Sequence, residues 1–262
     1  MHTTYEGNKH ESGVIKEVVD TLYDRLRKLG SDTRNIVFVF DRGNNSETNI
    51  PYVENRFHFI GALKRNQLKH LLDVELVRFN DLYTNRKGNT IRGYRTTEKV
   101  YDGEYTVVVT YNEKTAQKQR IKTEESIKRI TKNFLELDKS INNPHRGRKV
   151  TMKGIAQKID DFLHKQHKIL FSWDFDENER KFSWSLNDAA MKEREKMYGK
   201  NILFTDLSDW KTEDIAKTYN SKSMVEDDFK ALKNRLLIPM KPLFHRYDSH
   251  LRVHIFICVL SM

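Results

Sequence analysis

The fold depends on one segment, Tyr219-Asn220-Ser221-Lys222-Ser223-Met224-Val225-Glu226-Asp227-Asp228-Phe229-Lys230-Ala231-Leu232-Lys233. From about residue 222 its spacing predicts an α-helix with two narrow faces. The apolar face consists of Val225, Phe229, Leu232 and Leu236. The neighbouring charged face consists of Lys222, Glu226, Lys230 and Lys233. One carboxylate is therefore expected among three ammonium groups, beside a face that packs against the protein.

A second interpretation of this segment stays open. Charged helix faces are often only solvated, and Lys and Glu four positions apart stabilise such a helix by a few tenths of a kcal/mol. The helix alone does not show whether its charged face is an ordinary solvated surface or a functional site. The rest of the sequence is needed to choose between the two.

The chain has 262 residues, enough for one large domain or two modest ones. Its net charge of +10 and its pI near 9.4 favour a polyanionic partner, and nucleic acid is the first candidate. No signal peptide or membrane span is expected, and no separate basic amphipathic helix indicates a membrane surface. The single cysteine, Cys258, excludes an internal disulfide and fits a reducing, cytoplasmic compartment.

A carboxylate follows the most apolar short run near the N-terminus. Residues 36–40 are β-branched and aromatic throughout, which predicts a strand buried on both faces. Asp41 comes directly after it and precedes a loop with Gly43. Open α/β sheets place their chemistry at such strand ends, but an aspartate there can equally organise the turn.

The remaining pattern predicts an α/β core that is interrupted by an inserted α+β module. The module contains two hairpins, 92–101 with 105–111 and 169–174 with 180–186, and a long helix over 112–141. We expect the first part of the core at 1–64, the module at 65–186 and the second part of the core at 187–262. Separate helices are expected at 212–219 and from 222 onward.

The helix and the strand end together match a known pattern. Tyr219, Lys222, Glu226 and Lys233 fit Tyr-x2-Arg-x3-Glu-x6-Lys, with Lys in the Arg position. The chain thereby resembles the DDE-type insertion-sequence transposases of bacteria and archaea. The segment Phe38-Val39-Phe40-Asp41-Arg42-Gly43 is similar to the family's strand with the second acidic residue. Three further segments are similar to the family: 4–8, 59–61 and 245–260.

The resemblance implies an RNase H-like core in which three carboxylates hold two Mg²⁺ or Mn²⁺ ions for DNA cleavage and strand transfer. Asp41 would be the second metal-binding carboxylate and Glu226 the third. The implied partners are double-stranded DNA, as transposon ends and target, and a second copy in a synaptic homodimer. The implied location is the prokaryotic cytoplasm, on the nucleoid when DNA is bound.

The cations of the segment would then contact DNA. Lys222 and Lys233 would face phosphates near the cut, and Tyr219 would stack on or hydrogen-bond the DNA end. Lys222 keeps the charge of the family's Arg but loses its bidentate fork. Lys230 shares the face without belonging to the signature, which indicates general phosphate attraction.

The first acidic residue of the family is the main departure. It belongs upstream of Gly7-Asn8, where only six residues precede and none is an Asp. We therefore expect a C-terminal part of a transposase, truncated at both ends and inactive without the first core strands. The alternatives are a non-catalytic DNA-binding remnant that inhibits a full-length transposase, and a purely structural remnant.

Other sites are less favoured by the sequence. Of His245, His250 and His254, the last two lie four positions apart on a predicted helix, a spacing that could bind zinc. Without a third ligand and an accompanying Glu, zinc is not expected, and His254 is interpreted as a packed core residue. Cys258 has no evident basic neighbour, which indicates an inert buried thiol. Arg146 and Arg148 lie in a basic loop that either faces DNA or is only solvated. No phosphate-binding loop of the GxxxxGK[ST] type occurs.

Overall fold

The computed structural model describes residues 11–142, 150–233 and 247–260, with side chains except at 11–14, 44, 223–229, 231–233 and 259–260. The helices in these ranges are α1 Glu11–Lys28, α2 Asn49–Glu54, α3 Glu113–Asn142, α4 Met152–Phe162, α5 Lys165–Lys168, α6 Asp188–Lys196, α7 Thr212–Lys233 and α8 Asp248–Leu260. The strands are β1 Val37–Phe40, β2 His58–Ala62, β3 Asn80–Thr84, β4 Thr90–Val100, β5 Gly103–Asn112, β6 Phe171–Asp176, β7 Lys181–Leu186 and β8 Lys200–Thr205. The mixed α/β class expected from the sequence is confirmed.

Six of the strands form one mixed sheet in the order β1-β2-β8-β5-β4-β3. β1 and β2 are parallel, and every other neighbouring pair in this sheet is antiparallel. Strands of the predicted core and of the predicted inserted module therefore share one sheet. The domain boundaries near residues 64 and 186 stay a prediction.

Alternating residues of the central strands pack against helices on both faces of the sheet. On one face Phe59 and Phe204 belong to a large apolar cluster that also contains residues of α1 and α2. On the other face Ile60 and Leu203 pack with Ile215 of α7. Since side chains alternate across a strand, this two-sided burial explains why the central strands are almost continuously apolar.

A second apolar cluster lies away from this sheet. The C-terminal half of α3 packs with α4 and with the two-stranded sheet of β6 and β7. Phe134 of α3 is fully buried, stacks on Trp184 at a centroid distance of 5.2 Å and contacts the ring of Phe162 at the same distance. The long, charged helix predicted over 112–141 is thus anchored by one apolar stripe.

The strand predicted at residues 36–40 is observed as β1, and its side chains pack on both faces of the sheet, but it is less buried than predicted. Val37, Phe38 and Val39 are half-buried, and only Phe40 is buried. The reason is the position of β1 at the end of the sheet, where it pairs with β2 and where no described strand covers its other edge.

The prediction of two helices, at 212–219 and from 222 onward, is wrong. α7 is continuous from Thr212 to Lys233. The polar pair between the predicted helices does not interrupt it, because Ser221 Oγ donates back to the carbonyl of Thr218 at 2.7 Å and Asn220 Nδ2 donates to the Tyr83 hydroxyl.

Within the described ranges, none of the helices combines the length and the apolar character that crossing a membrane requires.

Candidate functional site

The site forms where β1 ends and α7 crosses the sheet. Asp41 follows β1, and its side chain is 63% exposed. Its Oδ1 accepts a hydrogen bond from the Tyr219 hydroxyl at 3.3 Å and forms an ion pair with Nζ of Lys222. Residues that lie 178 and 181 positions apart in the sequence thus meet at one carboxylate oxygen.

Packing of α7 on the sheet places both partners of Asp41. Ile215 is fully buried against the sheet, and Tyr219, one helical turn later, is 5% exposed. Lys222 follows at the next turn, with its Nζ 4.7 Å from the centre of the Tyr219 ring. An apolar anchor, a buried phenol and an ammonium group therefore follow one another along α7, as the spacing of four and three residues requires.

The protonation of this cluster follows from its surroundings. Burial raises the pKa of Tyr219, although the nearby Lys222 acts in the opposite direction. Burial alone would lower the pKa of Lys222, but its contacts with Asp41 and Tyr219 give a net increase. At neutral pH Tyr219 is consequently a neutral hydrogen-bond donor and Lys222 a charged one.

Asp41 stands at the mouth of a cavity of about 610 Å³ between β1, β5, β8, α3 and α7. Four cationic residues line this cavity, and Asp41 is the one acidic residue among its described lining residues. The cations are Arg42, Arg65, Lys200 and Lys222. The cavity therefore has an excess of positive charge, in a size range typical of ligand sites.

Three of these cations were not predicted from the sequence. Arg42 follows Asp41 and donates to the side-chain oxygen of Asn201 on β8. Arg65 comes three residues after β2, and Lys200 is the first residue of β8. The sequence does show a cation after β1, one after β2 and one at the start of β8. Only the strand order and directions in the sheet show that these three positions lie at the same edge.

The other residues expected from the resemblance have different outcomes. Glu226 lies on α7 one turn after Lys222, about 6 Å further along the helix axis. Lys230 is exposed on the same helix, and Lys233 is its last residue. The side chains of Glu226 and Lys233 lie outside the description, as do Arg146 and Arg148 altogether. The described contacts thus bring together Asp41, Tyr219 and Lys222, and leave the remaining assignments as predictions.

The histidines near the C-terminus do not converge in the described part of the chain. No group of three His, Cys, Asp or Glu side chains within the described residues could hold a metal ion. His254 lies one turn before Cys258 on α8, with its Nε2 3.8 Å from the buried sulfur. The expectation that Cys258 has no basic neighbour is therefore wrong, while His245 lies outside the described residues.

No protein-family model matches the sequence. A search of curated proteins finds no match either. The functional argument consequently rests on the residues and on their geometry.

Proposed function

We propose that this chain is a DNA-binding part of a DDE-type insertion-sequence transposase with an RNase H-like core, in which β1, β2 and α7 carry the site. One observation carries the proposal: Asp41 contacts both Tyr219 and Lys222. These two residues belong to the four-residue signature, and Asp41 belongs to the separate strand motif. Two independent sequence features of the same family thus meet in space, although neither motif predicts the position of the other.

The donor set at Asp41 suits a divalent cation in part. Its carboxylate is exposed at the mouth of the cavity, and Mg²⁺ prefers such oxygen ligands. Asp41 and Glu226 would hold Mg²⁺ or Mn²⁺, which would supply charge neutralisation and a polarised water at a phosphodiester. Lys222 would have to exchange its contact with Asp41 for a DNA phosphate when the cation binds. The chain's own contribution is to position Asp41 through the hydroxyl of Tyr219. The expected stacking of Tyr219 on the DNA end does not fit the structure, because its ring is buried and its hydroxyl donates to Asp41.

The positive charge supports duplex DNA as the partner. Lys222, Lys230 and Lys233 succeed one another along α7, and phosphate contacts of this kind supply affinity without sequence specificity. In the intact assembly we expect two copies of the protein to hold two transposon ends.

A second candidate function is DNA binding without cleavage. The specific observation in its favour is the Lys222–Asp41 ion pair, because an ammonium group neutralises the carboxylate where a metal ion would bind. In addition, no second carboxylate lines the cavity among the described side chains. Two-metal chemistry generally needs more carboxylates than this, so we expect the chain on its own to bind DNA and not to cut it.

A DNA-binding titration tests the proposal. The affinity for a fluorescently labelled duplex would be measured over a salt series, with and without Mg²⁺, for the wild type, Lys222→Gln and Asp41→Asn. The exposed Lys87, in the turn between β3 and β4, provides the matched control Lys87→Gln. We expect Lys222→Gln to reduce the salt slope by about one and Lys87→Gln to leave it unchanged.

Comparison of the titrations with and without Mg²⁺ distinguishes the metal-dependent site from DNA binding without cleavage. If Mg²⁺ strengthens DNA binding by the wild type but not by Asp41→Asn, the metal-dependent site is supported. If Mg²⁺ has no effect while the slope still depends on Lys222, the non-catalytic binder takes its place. A salt slope that is the same for the wild type and Lys222→Gln would contradict both. Nicking of a supercoiled plasmid in Mg²⁺ would contradict the expected lack of cleavage.

A further inference from the structure

Arg65 is a cation in the cavity wall whose charge is poorly compensated. Its Nε is buried and has no hydrogen-bond partner within the part of the chain that the structure describes. Burial lowers the pKa of Arg65, and the positive charge of Arg42 lowers it further. A partly buried guanidinium group beside a like charge costs free energy unless another group compensates it.

The nearby cations do not supply this compensation. Arg42 donates to the neutral amide oxygen of Asn201. Lys200 is 8% exposed, and its Nζ donates to the carbonyls of Leu72 and Val74 at 2.6 and 3.0 Å. These acceptors satisfy hydrogen bonds but carry no formal charge. Arg42 and Arg65 therefore create a positive potential in the cavity beyond Asp41, whereas the ammonium group of Lys200 is held by carbonyls outside the cavity lining.

The nearest acidic groups are engaged in other contacts. Asp41 forms its ion pair with Lys222 at the mouth of the cavity. Asp73, whose charge acts on Lys200, forms an ion pair with Lys196 at 2.7 Å. Neither carboxylate contacts Arg65 among the described residues, so an anion from outside the protein is the fitting partner.

We propose that Arg42 and Arg65 form a phosphate-binding site inside the cavity, which receives a phosphodiester of the nucleic-acid backbone. Guanidinium groups bind phosphate oxygens with two parallel hydrogen bonds. The volume of about 610 Å³ is ample for one phosphate group and part of its nucleotide. The phosphate chemistry follows from these cations alone, whereas DNA as its source rests on the proposed function.

The binding test uses the whole chain and inorganic phosphate. Thermal unfolding would be followed over a phosphate series at constant ionic strength for the wild type, Arg65→Gln and Arg65→Lys. Arg86, exposed in the turn between β3 and β4, provides the control Arg86→Gln. Phosphate should raise the unfolding temperature of the wild type and of Arg86→Gln, because a ligand that binds only the folded state stabilises it.

Arg65→Gln should bind phosphate at least about tenfold more weakly, and Arg65→Lys should lie between it and the wild type. Without phosphate, Arg65→Gln should be at least as stable as the wild type, since the substitution removes a partly buried charge that lies beside the like charge of Arg42. A phosphate response equal to that of the wild type would overturn the proposal. A loss of stability in Arg65→Gln without phosphate would also overturn it, because that result indicates a structural role.

A second titration identifies the source of the phosphate. A single-stranded thymidine oligonucleotide without terminal phosphates would be compared with inorganic phosphate. Dependence of oligonucleotide binding on Arg65 supports a backbone phosphodiester, and dependence of inorganic phosphate binding alone rejects that source. If duplex binding does not depend on Lys222 while phosphate binding depends on Arg65, the proposed function fails and the phosphate site stands. The opposite result rejects the phosphate site alone.

Discussion

Asp41 and Asp206 each follow a strand of the same sheet, but their surroundings differ. The side chain of Asp206 is 12% exposed; its Oδ1 accepts the backbone N–H of Phe59 at 2.9 Å, and its Oδ2 lies 2.6 Å from Nδ1 of His58. Asp41 is 63% exposed and contacts only side chains of α7 among its described partners. Because β8 is antiparallel to β2 and β1 is parallel to it, the two carboxylates lie at opposite ends of the sheet.

The comparison shows what separates a structural aspartate from a functional candidate. Both residues satisfy the pattern of an acidic residue directly after an apolar strand. The fold uses both carboxylate oxygens of Asp206, whereas Asp41 lies at the mouth of a cationic cavity. The distinction depends on burial and on partners from distant parts of the chain, and each prediction below tests one part of it.

The largest expected effect is on stability at Asp206. Asp206→Ala leaves the N–H of Phe59 and the ring of His58 without their acceptor, so we expect a loss of about 2–3 kcal/mol in the free energy of unfolding. Urea denaturation measures this loss, with Asp41→Ala as the matched control at about 0–1 kcal/mol. Equal losses of stability in Asp206→Ala and Asp41→Ala would contradict the distinction between a structural Asp206 and a functional Asp41.

The next effect concerns the packing that holds the end of β1. A Cβ at Gly61 on β2 would lie 2.7 Å from a ring carbon of Phe204 and 2.8 Å from one of Phe40, the residue before Asp41. Gly61→Ala should therefore cost about 1–3 kcal/mol of stability, since neither ring is at a surface where it could move freely. Urea denaturation of this variant would show whether the two rings can move aside for the added methyl group. Gly88→Ala is unsuitable as a control, because Gly88 has a positive φ. If Gly61→Ala leaves the free energy of unfolding unchanged, the side chains at the end of β1 are packed more loosely than we expect.

Asp41→Asn should change the affinity for DNA while leaving the stability of the fold nearly unchanged. The exposed ion pair contributes about 0–1 kcal/mol, so unfolding should change little. Affinity for duplex DNA in the absence of Mg²⁺ should rise severalfold, because a carboxylate that repels phosphate is removed and Lys222 is released. Fluorescence anisotropy measures the affinity, and weaker binding by Asp41→Asn without metal would contradict the assignment.

The smallest effect is expected for Lys222→Arg, which introduces the residue that the signature of the proposed family has at this position. Arginine keeps the charge and adds a planar fork, so DNA affinity should increase by a small factor while the salt slope stays the same. The same anisotropy titration measures both quantities. A changed slope would mean that the substitution alters the number of phosphate contacts and not their geometry.

Local signals predicted much of the fold. The hairpin expected at 92–101 and 105–111 is observed as Thr90–Val100 with Gly103–Asn112, because alternating residues specify the two strands locally. The two turn residues are Tyr101 and Asp102, since Gly103 already pairs with Val100. β3 was not predicted, since Asn80–Thr84 is a short, polar edge strand without a clear alternation. The order of the strands, which joins the predicted module to the predicted core, depends on long-range pairing that no local pattern contains.

The site was predictable only in part, for the same reason. Asp41 stood out by its position after a strand, and Tyr219 and Lys222 by the family resemblance. Arg65 carried no such signal, because its importance comes from burial and from the charge of Arg42 beside it. Asp206 shows the converse problem. Its sequence context resembles that of Asp41, although its contacts are structural.

Iron-mediated cleavage of the protein backbone tests the central claim most directly. Fe²⁺ would replace Mg²⁺ in the full chain, and ascorbate with peroxide would generate radicals that cut the backbone near the bound ion. We predict cuts close to Asp41 and close to Glu226, competed by Mg²⁺ and lost from both places in Asp41→Asn. Cuts elsewhere, or an unchanged pattern in Asp41→Asn, would contradict a shared metal-binding site between β1 and α7.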